Sequence, residues 1–528
     1  MQLLSALVLL TLLKAHPTTA AVKEYTLDIV NAPIAPDGYN RMGILANGTF
    51  PGPLLTANKG DTVKVTFNNK LTDESMPVST SIDFDGVLFN TASVYNEGSP
   101  FVTQCPFGPN TSYTYTLRLG EQSGSAWYHS QVSLQYADGL RGVFIIYDPE
   151  DPLKYLYDVD DESTIWSVAD WWHSTSTATL NSYNLTQVIP LQDSGLFNGV
   201  GRYVGGPEIP YVVQSVTKGT RYRFRLINIS VRWQVFVSVD SHTMTVIEVD
   251  GTPTQPLETN MLSLMPGARY SVVVTANQAV DNYWINAIPM DPGSPNKYEE
   301  NPVFDPTLSR GILRYAGAPD AEPTTPMTQG PEGTAANLLQ EHELRPFIPT
   351  PPPEPDYILN FTTSMAINET AWLFNGTQYE SPKVPTLIKI LDGASDAADF
   401  NKSENTFIFP RNKTVEINFL PDPTDELHPF HLHGNRFWVI KSNESDIVNT
   451  VNPPIRDVAA KGNGGTILRF TTDNPGPWFF HCHIFWHFWA GLGAVMVSDP
   501  EGIRQQAKPS EAWDELCPAY NALPVVEQ

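Results

Sequence analysis

Three cysteines in 528 residues are too few for a disulfide-built scaffold, so the fold must rest on hydrophobic cores. Positive charge is scarce as well. Lys and Arg number 32 against 57 Asp and Glu, giving a formal net charge of −25 and a sequence pI near 4.7. That balance argues against nucleic acid or an anionic membrane as a partner, and it fits a soluble protein in acidic surroundings, although solubility alone explains it equally well. Long apolar runs are missing after residue 20, so no later segment reads as a membrane span. The early run from Leu3 to Leu13 is also too short. With small Thr18 and Ala20 placed for cleavage, residues 1–20 are expected to be a signal peptide and the chain to be secreted and extracellular. Long helix-period patterns are few.

What the chain does have is short β-like runs, 46 Pro, 35 Gly and 41% hydrophobic residues. EYTLDIV, DTVKVTFN, SYTYTLRL and GVFIIYD lie within residues 21–149, divided by Gly, Pro and Asn turns. TIWSVADWW, RYRFRLINI, FVSVD, YSVVVTA and GILRYAG repeat the texture over 150–317. Residues 318–356 are Pro-rich and polar and read as a surface connector, with AANLLQEHEL inside it expected to form a short helix. A third β unit runs over 357–528 with a tail that carries Cys517. The predicted class is all-β, three consecutive sandwiches. Sequons at Asn47, Asn110, Asn184, Asn360, Asn375 and Asn443 suit an exported glycoprotein.

The chemistry is concentrated in PWFFHCHIFWHFWAGLGAVMVSDP, residues 477–500. Its aromatic and apolar surroundings predict a strand followed by a buried loop. On a strand, His481 and His483 point to one face and Cys482 to the other. One short element can thus serve two metal sites. His487 can swing back to join Cys482, and two imidazoles with one thiolate make a blue-copper, electron-transfer arrangement. HPFHLHG adds His428, His431 and His433 upstream, so six of the eleven histidines fall in two short clusters. Scattered core histidines do not cluster in this way.

HPFHLHG and HCHIFWHFWAGLGAV resemble the two C-terminal copper motifs of multicopper oxidases. GTFPGPLL, WYHSQVSLQYADGLRG, RYRFRLINIS and NQAVDNYWI extend a similarity to fungal laccases along nearly the whole chain. The resemblance implies three cupredoxin-like domains, phenolic or aromatic small-molecule substrates, dioxygen as oxidant and copper as cofactor. It implies type-1 copper ligands at His428, Cys482 and His487, with Leu492 at the axial position and unable to coordinate, while Met496 reads as core. It also implies a Cys105–Cys517 bridge; Ala137 and Val231 stand where a second bridge is usual. Proton-delivering carboxylates are expected at Glu97 and Asp457.

At the trinuclear site the chain departs from the family. Asp83 and Asp85 in TSIDFDG replace one His-x-His pair, and Gln131 in WYHSQ follows the retained His129. The resemblance places Asp83 with His431 at the type-2 position. It places Asp85, His129 and His483 at one type-3 position, and Gln131, His433 and His481 at the other. Imidazole suits copper, whereas carboxylate and amide oxygens suit harder ions. Type-2 and type-3 copper are therefore in doubt, and weak or absent oxidase activity is expected, with a pseudoenzyme or a partner subunit of an active laccase as the role. The alternatives are an active laccase with a remodelled cluster, a site holding a different metal set, and a non-redox binding protein. Arg232 occupies the place of the acidic residue that holds the phenol hydroxyl, and it cannot act as that base.

Overall fold

The computed structural model describes residues 20–186, 191–290, 304–324, 337–366, 371–421 and 427–527. Most of the expected signal peptide lies outside them. Strands form where apolar residues alternate: in Thr62–Asn69, Val63, Val65 and Phe67 turn inward while Lys64 faces solvent. The first sandwich packs a four-stranded sheet, in the order Arg41–Ala46, Val22–Ile34, Thr62–Asn69, Ser112–Arg118, against a second four-stranded sheet. That second sheet runs Gly52–Asn58, Arg141–Tyr147, Gly124–Ser130, Ile82–Asp85. A seven-stranded and a five-stranded sheet build the second unit, and two five-stranded sheets build the third. The architecture is three all-β, cupredoxin-like sandwiches.

The buried core of the first sandwich runs without a break into that of the third, joining Phe84, Trp127 and Tyr136 to Phe479, Cys482 and Phe485. The second sandwich has a core of its own around Trp166, Phe224 and Val272. Strand Gly476–Cys482 is therefore covered on both faces and is buried at every residue, which explains its aromatic run without a polar alternate.

Two local expectations are corrected. Within AANLLQEHEL the described residues form only a single 3₁₀ turn, Glu341–Glu343. Leu338 instead bridges to Met261, and Leu339 N–H donates to the Met261 carbonyl (3.0 Å), so pairing with the second sandwich overrides helix propensity. After Cys482, where a loop was expected, Phe485–Trp489 forms a helical turn with Phe485, Trp486 and His487 buried. No helix among the described residues is long and apolar enough to cross a membrane.

Candidate metal centre

Strand Gly476–Cys482 lies between His428–Leu432 and Gly493–Ser498, antiparallel to both. The register sets His431 against His481 and Phe430 against Cys482, so the two histidine motifs meet through backbone pairing. On one face, Cys482 Sγ lies 3.6 Å from His428 Nδ1 and 3.8 Å from His487 Nδ1, and the two nitrogens are 3.2 Å apart. The helical turn brings His487 there, with its N–H on the Ile484 carbonyl (2.9 Å). All three residues are buried. Trp372 walls the pair, its ring 4.7 Å from each imidazole. Leu492 is buried beside them and its carbonyl accepts the Cys482 N–H (3.1 Å). Met496 is buried opposite Trp478 in the sheet. Burial holds His487 well below the usual histidine pKa, with positive charge on His428 and Arg232 adding to the effect.

On the opposite face, a second buried cluster forms where the first and third sandwiches meet. Strand Ile82–Asp85 pairs with Gly124–Ser130, setting Asp83 opposite His129. Asp85 Oδ2 lies 2.8 Å from His483 Nε2 and 3.5 Å from His129 Nε2, while Oδ1 lies 3.3 Å from His431 Nε2. His433 Nε2 and His481 Nε2 are 2.9 Å apart, with Gln131 Nε2 3.5 Å from His433. Two glycines allow this closeness. Gly98 has φ +102°, and a Cβ there would meet the Ile82 carbonyl oxygen at 1.8 Å. At Gly267, φ +81°, a Cβ would sit 2.7 Å from the His483 ring.

The carboxylates are electrostatically unequal. Burial raises Asp83 well above the usual range, and the charges of Glu97 and Asp85 push the same way. Burial also opposes ionisation of Asp85, but His431 and His129 outweigh it and hold Asp85 well below the usual range. Burial alone would lower His431, yet Asp85 raises it to about 9. His481 is driven well below its ordinary value by burial and by the neighbouring histidines.

Sequence reasoning grouped Asp85 with His129 and His483, and Gln131 with His433 and His481, and these sets lie together. Asp83 does not face His431. It accepts from the Gln131 amide at Oδ2 (3.2 Å), while His431 faces Asp85. The glutamine supplies an N–H donor that draws the carboxylate across. Glu97 bonds His433 Nδ1, Ser99 and Thr103. Asp457 is gripped by Arg269, and its backbone carbonyl accepts from His431 Nδ1 (2.8 Å). Arg232 is half-buried, with its N–H on Asp170 (2.8 Å). Cys105 and Cys517 form a disulfide across 412 residues of sequence, and Ala137 and Val231 are simply buried. Sequence reading passed over Trp372, Asp170 and Arg269, which sit in no motif and whose placement depends on contacts between units.

Three multicopper oxidase family models match the chain, over residues 28–151, 162–318 and 379–502. The chain is 44% identical to Laccase-2 of Agaricus bisporus over 515 residues, 96% of each chain. It is 43% identical to Laccase-1 of the same fungus, with 99% of each covered. Among solved structures, the laccase of Botrytis aclada superimposes with a TM-score of 0.83 at 30% identity, covering 96% of this chain and 93% of that one. Fet3p, a multicopper oxidase that functions in iron import, gives 0.82 at 29% identity, covering 95% of each.

Proposed function

We infer that this chain, which belongs to the laccase family of multicopper oxidases, is a secreted protein that takes single electrons from phenolic molecules at a type-1 copper. The observation that carries the reading is the convergence of Cys482 Sγ, His428 Nδ1 and His487 Nδ1 within one buried pocket. A thiolate with two imidazoles is the donor set that a blue-copper site requires, and Leu492 adds no fourth ligand, which fits a trigonal form. Bound there, copper supplies a one-electron acceptor.

The protein does the rest. Trp372 fixes the two rings and the surrounding core excludes water. Cys482 is bonded in sequence to His481 and His483, and His481 Nδ1 also donates to the Cys482 carbonyl (3.0 Å), so a short covalent route leads inward. Arg232 stands where the family places an acidic residue, and a guanidinium offers only donors, so it supplies no base for a phenol's proton.

The inner cluster does not fit a trinuclear copper group. Three of its eight inward positions offer oxygen where the family has imidazole. The carboxylates of Asp83 and Asp85 oppose a cuprous state, and Gln131 turns its amide N–H to Asp83 while its Oε1 is buried without a hydrogen bond. Oxygen reduction is therefore weak or absent. One observation favours a second reading, a working oxidase with a remodelled cluster: the His433–His481 imidazole pair remains intact on the inward route.

Oxygen consumption on phenols separates the two. Wild type should show blue absorption with little oxygen uptake, and the Cys482→Ser variant should fold but lose the blue band. Joint substitution Asp83→His, Asp85→His and Gln131→His should raise uptake. Rapid uptake by the wild type supports the second reading, and a colourless copper-loaded wild type defeats both.

A further inference from the structure

The carboxylate-rich half of the inner cluster contains a lone pair that no protein hydrogen answers. His129 Nδ1 lies 3.0 Å from the Ser130 carbonyl. A carbonyl only accepts, so in neutral imidazole the proton sits on Nδ1 and Nε2 carries the lone pair. That lone pair looks at Asp85 Oδ2 at 3.5 Å and Asp83 Oδ2 at 3.7 Å. Neither distance is a hydrogen bond. His129 Nε2 is buried without a hydrogen-bond partner, as is Asp85 Oδ1, and His129 and Asp85 are only 1% and 2% exposed. Asp85 also faces the His431 and His483 imidazoles at 3.3 and 2.8 Å, but nothing in this dry interior answers the His129 lone pair, and a cation between it and the two carboxylates would.

We propose that Asp85, His129 and His483, with Asp83 as an additional oxygen donor, bind one divalent cation of the zinc class at this position. The donor atoms of the first three lie within 4.8 Å of one another. Asp85 Oδ2 is 2.8 Å from His483 Nε2 and 3.5 Å from His129 Nε2. For metal–ligand bonds of about 2.0–2.1 Å, neighbouring tetrahedral ligands stand about 3.3 Å apart, so small shifts close the site around an ion. Two imidazoles with carboxylate oxygen form a zinc donor set. With Asp83 ionised in the bound state, two carboxylates balance a dication, whereas a cuprous ion would leave excess negative charge in a buried space. Zinc does not change oxidation state, so its presence would hold the cavity together without passing electrons to oxygen. Asp83, Asp85 and His129 come from the first sandwich and His483 from the third, which makes the ion a staple between them.

The proposal rests on the reading that the inner cluster does not fit trinuclear copper, and the test keeps the two apart. Cupric copper outranks zinc at most nitrogen and oxygen sites, so the full chain is produced with both metals supplied and then exchanged into metal-free buffer. Elemental analysis and X-ray absorption at the zinc edge should find about one zinc per chain in nitrogen and oxygen coordination, beside the blue copper on Cys482. The Asp85→Asn variant should keep the blue band and lose the zinc. Copper in place of zinc overturns the proposal. So does the absence of any second metal, which would mean that a proton on His129 answers the carboxylates. Should Asp85→Asn fail to fold, the wild-type edge spectrum still decides, because a zinc–sulfur signal would place zinc on Cys482 and overturn it too. Loss of the blue band with zinc retained would instead refute the electron-accepting role and leave the zinc site standing.

Discussion

Replacing Arg269 by Met should destabilise the protein more than removal of any exposed charge. Arg269 is fully buried in strand Arg269–Thr275 of the second sandwich. Its guanidinium grips Asp457 of the third sandwich in two bonds, Nη1–Oδ1 at 2.5 Å and Nη2–Oδ2 at 2.7 Å. Nε donates to the Ser125 carbonyl of the first sandwich (3.0 Å), and Nη1 to the Gly267 carbonyl (3.1 Å). Burial opposes its charge, but Asp457 and Asp250 overcome this and hold the group well above its ordinary pKa. One side chain thus ties three units together. Removing one partner of a buried, hydrogen-bonded ion pair costs about 3–5 kcal/mol, because the other charge is left uncompensated. Lys64 and Glu24, 3.4 Å apart with side chains 45% and 71% exposed, are the control, worth less than about 1 kcal/mol. Denaturant unfolding followed by tryptophan fluorescence compares midpoints and slopes for Arg269→Met and Lys64→Met. Adding Asp457→Asn to Arg269→Met should recover part of the loss, since the stranded charge is then gone. Equal costs for the two single variants would refute the reasoning.

The Gly98→Ala variant forces a left-handed residue with a Cβ onto the Ile82 carbonyl; the backbone strain alone costs about 1–2 kcal/mol, and a thermal midpoint equal to wild type would contradict this. Joint Cys105→Ser and Cys517→Ser substitution opens a loop of 412 residues and should lower stability by up to about 6 kcal/mol on the chain-entropy account, read as a fall in denaturant midpoint without loss of the blue band. Acid should destabilise the fold through Asp37 and Asp160. Burial opposes ionisation of both, but His173 and Ser194 for Asp37, and Arg225 for Asp160, outweigh it, so both sit below the ordinary aspartate range. A depressed carboxylate contributes its full stabilisation above the unfolded pKa and loses it as pH falls through the folded one. Urea midpoints should therefore hold down to about pH 4 and decline below it, and Asp160→Asn should weaken that decline.

The sandwiches and the Cys482 site were legible because both depend on short-range pattern. Alternation at Val63, Val65 and Phe67 marks a strand wherever it packs, and the spacing of His481, Cys482 and His483 sorts their side chains by face. Other features depended on distant neighbours. Leu338 and Leu339 look helical until Met261 pairs with them, and the turn at Phe485–Trp489 looks like loop because five residues are too few to show a helical period. Motif matching put Asp85 with His129 and His483, which lie together, but gave no sign of the hydrogen bond from Gln131 to Asp83, since a motif carries no information about what an amide does when it replaces an imidazole. Arg269 and Trp372 had no local signal at all; their importance comes from meeting Asp457 and the His428–His487 pair across the fold.

The most direct test is electron paramagnetic resonance of the purified full chain, with copper per chain measured on the same sample. A type-1 signal alone, accounting for the paramagnetic copper and disappearing in Cys482→Ser, is the predicted result and fits an electron-accepting protein without an oxygen-reducing cluster. A type-2 signal beside it, with the full copper complement of a working laccase, would contradict the account and show that Asp83, Asp85 and Gln131 can complete the cluster.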